Sequence, residues 1–125
     1  MDQKLLEALA ARAEQKEKSR AETKTFTIGE TAMEFVKPSQ GKMLEYFEST
    51  VESSGAAGVL SLATTMIYDC CPALQEPELH AALGVVDPMD TVGKLLDMME
   101  INALGNKLAD WIGLNPAAAE DTVKN

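Results

Sequence analysis

Basic charge is scarce in this sequence. Eleven Lys and Arg residues stand against twenty Asp and Glu, which leaves −9 with the single histidine neutral. A surface of that sign is repelled by phosphate backbones, so nucleic-acid binding is not expected. Long apolar runs are missing too, and no stretch approaches the roughly 20 residues that span a bilayer. No membrane is therefore expected among the partners. A secretory leader is not visible, because Glu7 and Arg12 interrupt the first apolar residues. Cysteine is confined to the adjacent Cys70 and Cys71. Neighbouring cysteines seldom pair and two thiols staple no scaffold, which points to a reducing cytoplasm.

Signatures of chemistry are equally sparse. His80 has no second histidine, and Glu76 four residues earlier is the acid at ligand-like spacing, whereas a metal centre needs three or four converging ligands. Cys70 and Cys71 lack the spacing of a redox pair and have no basic cluster to hold a thiolate, so they read as small buried hydrophobes. Asp87 and Asp90 resemble a pair for acid–base work, but helix capping accounts for both. No phosphate-binding loop, dinucleotide glycine fingerprint or nucleophile elbow occurs. The chain is expected not to be an enzyme and to hold no cofactor or metal.

What is present is a helical pattern interrupted once. With 46% apolar and 25% charged residues over 125 positions, the chain has the make-up of one globular domain with one core. Thr25 to Ser39 is the exception to helical spacing. Phe26 and Ile28 fall on one side of an extended segment, Met33 and Phe35 on one side of a second, and Gly29-Glu30-Thr31 lies between. Lys37-Pro38 ends the strand pattern, and Ser39 suits the N-cap of a helix. A lone hairpin is marginal in water, so its apolar face should lie on the later helices.

Before the hairpin, Lys4 to about Glu22 carries Leu5, Leu6, Leu9 and Ala13 on one helical face and is solvated beyond Arg12. Residues 1–24 hold six basic against five acidic side chains, so the net acidity lies further on. This segment is either a loosely anchored terminal helix or an arm that docks to a neighbouring copy or a client. After the hairpin, Ser39 to Ser53 places Met43, Leu44, Phe47 and Val51 on one face and Glu45, Glu48 and Glu52 on the other, with a break at Ser54-Gly55. Ala56 to Cys70 is apolar nearly all round, the mark of a core helix. Pro77 to Leu83 is a short helix capped by Gly84. Asp87-Pro88 starts another, on which Met89, Val92, Leu95, Leu96 and Met99 share a face, with a break expected near Glu100. Ile101, Leu104, Leu108, Trp111 and Ile112 form the last stripe, closed by Gly113. The expected fold is mainly α, a small domain of five to six helices with one short β-hairpin near residues 25–37. It divides into a charged helical arm (1–24), a hairpin plus helical domain (25–114) and an acidic tail (115–125).

The seven methionines fit ordinary core filling or, alternatively, an apolar groove that adapts to irregular partners. Both readings stand beside a further signal, the order of features along the chain. The charged first helix leads into Phe26, Ile28 and Gly29, then Glu34-Phe35 and Lys37-Pro38-Ser39. Later come Cys71-Pro72-Ala73-Leu74, the run from Glu78 to Val85, Asp87-Pro88 with Val92 and Leu95-Leu96, and Trp111-Ile112-Gly113-Leu114. An acidic close follows from Ala119 to Asn125. This arrangement resembles the small tail assembly chaperones of Gram-positive long-tailed phages and phage-like elements. It departs from them in Gly93 and Gly105 within helical patterns, and in a Met-rich segment where the family more often shows a Pro-Gly break.

The resemblance implies a non-catalytic coat for the tape measure protein, a long helical chain with exposed apolar segments. It implies recruitment of tail-tube (major tail) subunits, self-association, work in the bacterial host cytoplasm, and absence from the mature phage particle. Leu5, Leu9, Met89, Met98, Met99, Leu104 and Trp111 are the candidate protein contacts. The alternative is an acidic helical adaptor or regulator that binds one folded protein.

Overall fold

A computed structural model of the chain describes residues 1–52 and 55–114. Its elements run α1 (Gln3–Arg20), β1 (Thr23–Ile28), β2 (Thr31–Val36), α2 (Gln40–Glu52), α3 (Ala56–Cys70), a single turn Pro72–Gln75, α4 (Pro77–Leu83), a single turn Pro88–Asp90, α5 (Thr91–Leu95) and α6 (Met98–Ile112). This is the mainly helical domain with one hairpin that the sequence predicts. The acidic tail expected over 115–125 and the helix end expected at Ser53 lie outside the described residues.

The strands pair antiparallel, with Phe26 opposite Met33 and Ile28 opposite Thr31. The connection is thus two residues, not three. Gly29 at φ +63° takes the first turn position, and among the described residues no non-glycine, Glu30 included, has positive φ, as a type II′ turn requires. Period-two alternation puts Phe26, Ile28, Met33 and Phe35 on one face. Phe35 is fully buried and meets Phe26 edge-on at 5.3 Å between ring centroids. Phe26 in turn meets Trp111 at 5.9 Å, so the hairpin closes over the end of α6.

The core lies between α3 and α6. Ala63, Met66, Ile67 and Cys70 of α3 are buried, as are Ile101, Leu104 and Leu108 of α6, with Leu74, Val92 and Leu96 completing the cluster. Gly105 brings the two helices into contact. A Cβ there would stand 2.6 Å from the Cβ of Ala63 and 3.3 Å from its Cα. The glycine that departs from the helical pattern is therefore a site of close backbone approach.

Two expectations are corrected. The break expected near Glu100 falls at Leu96-Asp97. There Asp97 and Glu100 form a capping box, with the Asp97 N–H donating to the Glu100 carboxylate at 3.0 Å. Met89 and Met99 consequently belong to different elements and share no helical face. The second correction concerns α2. Ser39 caps it as expected, accepting from the Lys42 N–H at 3.2 Å. The apolar face shared by Met43, Leu44, Phe47 and Val51, however, points outward apart from the half-buried Met43. Leu44, Phe47 and Val51 are 58%, 53% and 71% exposed, while Tyr46 between them is 2% exposed.

Replacing Gly105 with alanine should destabilise the fold by about 1–3 kcal/mol, because the clash is with a short side chain and backbone that cannot swing aside. Gly93→Ala in α5, where nothing lies within 4 Å, should instead gain up to ~1 kcal/mol of helix propensity. Urea unfolding of both variants checks the opposite signs.

Candidate functional site

α2 is docked by its polar side. Tyr46 reaches α3 and its hydroxyl donates to Asp69 Oδ2 at 2.7 Å. Lys42 lies 3.9 Å from the same carboxylate and 3.2 Å from Glu45. The Glu45 contact, with the Asp69 charge second, raises the Lys42 pKa above its ordinary value. Burial first, and the Asp69 hydrogen bond second, hold the Tyr46 phenol protonated well above its usual range. Between Tyr46 and Ser49 of α2 and Gly58, Ser61, Leu62 and Thr65 of α3 lies a small, partly polar hollow.

The consequence is an apolar face left open. α3 packs against both α2 and α6, but α2 has little contact with α6. Between the three helices lies a cleft of about 260 Å³. Val59, Leu62 and Met66 form its apolar wall, and Asn102 and Asn106 supply polar groups. Leu114 lines this cleft and also a shallower hollow beside Met43, Leu44 and Phe47. No ionisable side chain lines the cleft between the three helices, so its chemistry is that of apolar contact with a few amide hydrogen bonds.

The seven sequence-predicted contacts fall elsewhere, and none lines this cleft. Leu5 and Leu9 are 49% and 52% exposed on α1, a helix with no buried residue. Met98 and Met99 are 60% and 69% exposed on the first turn of α6. Met89 is half-buried, its N–H donating to the Asp87 cap at 3.0 Å. Leu104 belongs to the core at 6% exposure and offers no surface to a partner. Trp111 packs against the core beneath Phe26, with the Lys37 ammonium 5.5 Å from its ring centroid. Leu44, Phe47 and Val51 were legible as a stripe. Their outward direction was hinted only by Tyr46, a large aromatic set among the glutamates.

The groups considered for chemistry are engaged structurally. His80 Nε2 donates to the Leu74 carbonyl at 2.7 Å, and its ring stacks on Tyr68. Cys70 and Cys71 are free and fully buried. Burial, with the nearby Asp69 charge second, pushes the Cys70 thiol up to about 12. Burial also raises Cys71. Among the described residues no group of His, Cys, Asp and Glu could hold a metal ion. None of their helices is long and apolar enough to cross a membrane.

Three measurements test this geometry. Tyr46→Ala should cost about 3–5 kcal/mol, as for a buried aromatic, whereas Phe47→Ser should shift stability by no more than about 0.5 kcal/mol. The alkaline limb of stability follows from the thiol and the phenol, both protonated in the fold at a pH where the unfolded chain ionises. The folded state then holds more protons, so stability present below pH 9.0, the ordinary thiol value, falls as pH rises towards 12. Denaturant midpoints across that window read the decline, and Cys70→Ala should flatten its first part. Comparison with protein-family models, with curated proteins and with solved structures gave no match, so the site is defined by its own geometry.

Proposed function

We propose that this protein is a phage tail assembly chaperone, a non-catalytic coat that holds apolar segments of a tape measure protein in solution and helps to recruit tail-tube subunits. The observation that carries this reading is the outward apolar row Leu44, Phe47 and Val51 beside a cleft, on a chain of charge −9. An amphipathic client helix can lay its apolar side along such a row, and the negative body keeps the coated client soluble. Met98 and Met99 on α6, and Leu5 and Leu9 on the arm, add apolar surface with flexible side chains. In this reading the protein acts in the bacterial cytoplasm and leaves before the particle matures.

Magnitudes favour many weak contacts over one strong one. Covering the half-exposed Leu44, Phe47 and Val51 is worth about 1 kcal/mol each. Association costs at least ~4 kcal/mol in lost freedom. One copy on one short helix therefore binds weakly, and retention on a long client comes from many copies acting together. A coat that must be stripped during tube growth needs that property, whereas an adaptor for one folded partner would need a stronger single site.

Co-expression with helical fragments of a tape measure protein tests the reading. The parent chain should raise fragment solubility several-fold, with several copies per long fragment. Phe47→Glu and Met99→Glu should each reduce the effect without unfolding the protein, because both side chains are largely exposed. Leu104→Glu is not informative, since it places a charge in the core. Fragments that stay insoluble with the parent, or equal solubilisation by both variants, would remove the support for this function. A saturable complex of one copy with one folded protein would favour the adaptor.

A further inference from the structure

We infer that the hollow at the root of the α1 arm is a binding site for one phosphate group, free or carried as a monoester, held by Lys16, Arg20 and Lys37. It is distinct from the apolar surfaces read above as client contacts, and it stands whether or not that reading holds.

The hollow measures about 180 Å³ and lies where the end of α1, the β2–α2 connection and the first turn of α2 meet. Three of its lining side chains are cations, Lys16, Arg20 and Lys37, and none is a carboxylate. In a chain of eleven basic and twenty acidic residues, this patch is opposite in sign to the whole. Taken alone, the grouping is unfavourable. Lys16 and Arg20 stand four residues apart on one helix, where like charges repel. Arg20 in the last turn suits the negative end of α1, but Lys16 lies before that turn. Among the described residues no ion pair engages Lys16 or Arg20. Lys37 has the Glu22 carboxylate at 3.8 Å and the Trp111 ring beneath its ammonium. One carboxylate against three cations leaves the hollow positive.

The groups around it suit a tetrahedral oxyanion. An arginine fork and two ammonium groups supply directed donors for several oxygens at once, whereas a carboxylate offers two oxygens and one charge. Ser19 Oγ accepts from Lys37 Nζ at 3.2 Å, which leaves its own O–H to donate. Gln40 lines the hollow at the start of α2, where the first backbone N–H groups of a helix have no intrahelical acceptor. The volume is below the roughly 300–1,000 Å³ of pockets for drug-sized ligands, so it suits one compact group. A nucleic-acid strand remains disfavoured, because its further phosphates would meet the −9 of the whole chain.

The test titrates the full chain with inorganic phosphate at constant ionic strength, followed by backbone amide NMR. Shifts at Ser19, Arg20, Lys37 and Gln40 should saturate together, with a Kd of about 1 mM or below. Lys16→Gln and Arg20→Gln should each weaken binding about tenfold, the loss of one charged hydrogen-bond donor. Both side chains are exposed, so neither change should unfold the chain. Lys4→Gln, which removes a cation at the far end of the arm, should leave the affinity unchanged. Glycerol phosphate in place of inorganic phosphate separates the two sources. Equal or tighter binding identifies a monoester, and loss of binding identifies the free ion. Absence of saturable shifts overturns the inference. Equal binding of acetate overturns it as well, as does an affinity indifferent to Lys16→Gln and Arg20→Gln combined. None of these results bears on the solubilisation of client fragments, which reads a different surface.

Discussion

The crossing of α3 and α6 at Ala63 and Gly105 is the constraint on which the rest of the architecture depends. Because position 105 has no side chain, the helix backbones approach closely enough for Ile67, Cys70, Leu104 and Leu108 to share one interior. Interiors pack at crystal-like density, so an approach of this kind commits the most apolar side of α3 to α6. The hairpin then closes the end of the pair through Phe35, Phe26 and Trp111. What remains of α3 for α2 includes the partly polar surface of Gly58, Ser61, Leu62 and Thr65.

That remainder explains an arrangement that hydrophobic patterning alone would not produce. A helix normally buries its apolar stripe, since each large side chain taken out of water contributes ~1.5–3 kcal/mol. α2 buries one ring instead, fixed by its hydroxyl to Asp69, with Lys42 beside the same carboxylate. The polar tether substitutes for the burial that three apolar residues would have supplied. An exposed apolar row is a liability in an isolated chain, and the surrounding negative charge limits its aggregation.

Lys37 links the arm to the hairpin and to α6. It follows β2, bonds the last turn of α1 and lies over Trp111 of α6. Its side chain is 16% exposed, so these contacts are only partly screened by solvent, unlike the Lys18–Glu14 pair further out on the arm. The arm is thereby held at one end and free along most of its length.

Local chemistry in the sequence determined the hairpin and most helix ends. Alternation of Phe26, Ile28, Met33 and Phe35 needs no distant information, nor do Ser39, Asp87, Gly84 and Gly113 as caps, because each acts on backbone groups a few residues away. The capping box at Asp97 and Glu100 was of the same kind and was obscured by the apolar run Leu95 to Met99, which suggested a longer helix. The stripe of α3 was likewise legible as core, whereas that of α6 was legible only as a shared face. Three features were decided only by tertiary structure: the outward turn of α2, the burial of Leu104, and the role of Gly105 as a contact. A periodic pattern records which residues share a face, and the direction of that face depends on which neighbour has room for it. Here the room was taken by α6, so most of the stripe of α2 was left facing solvent.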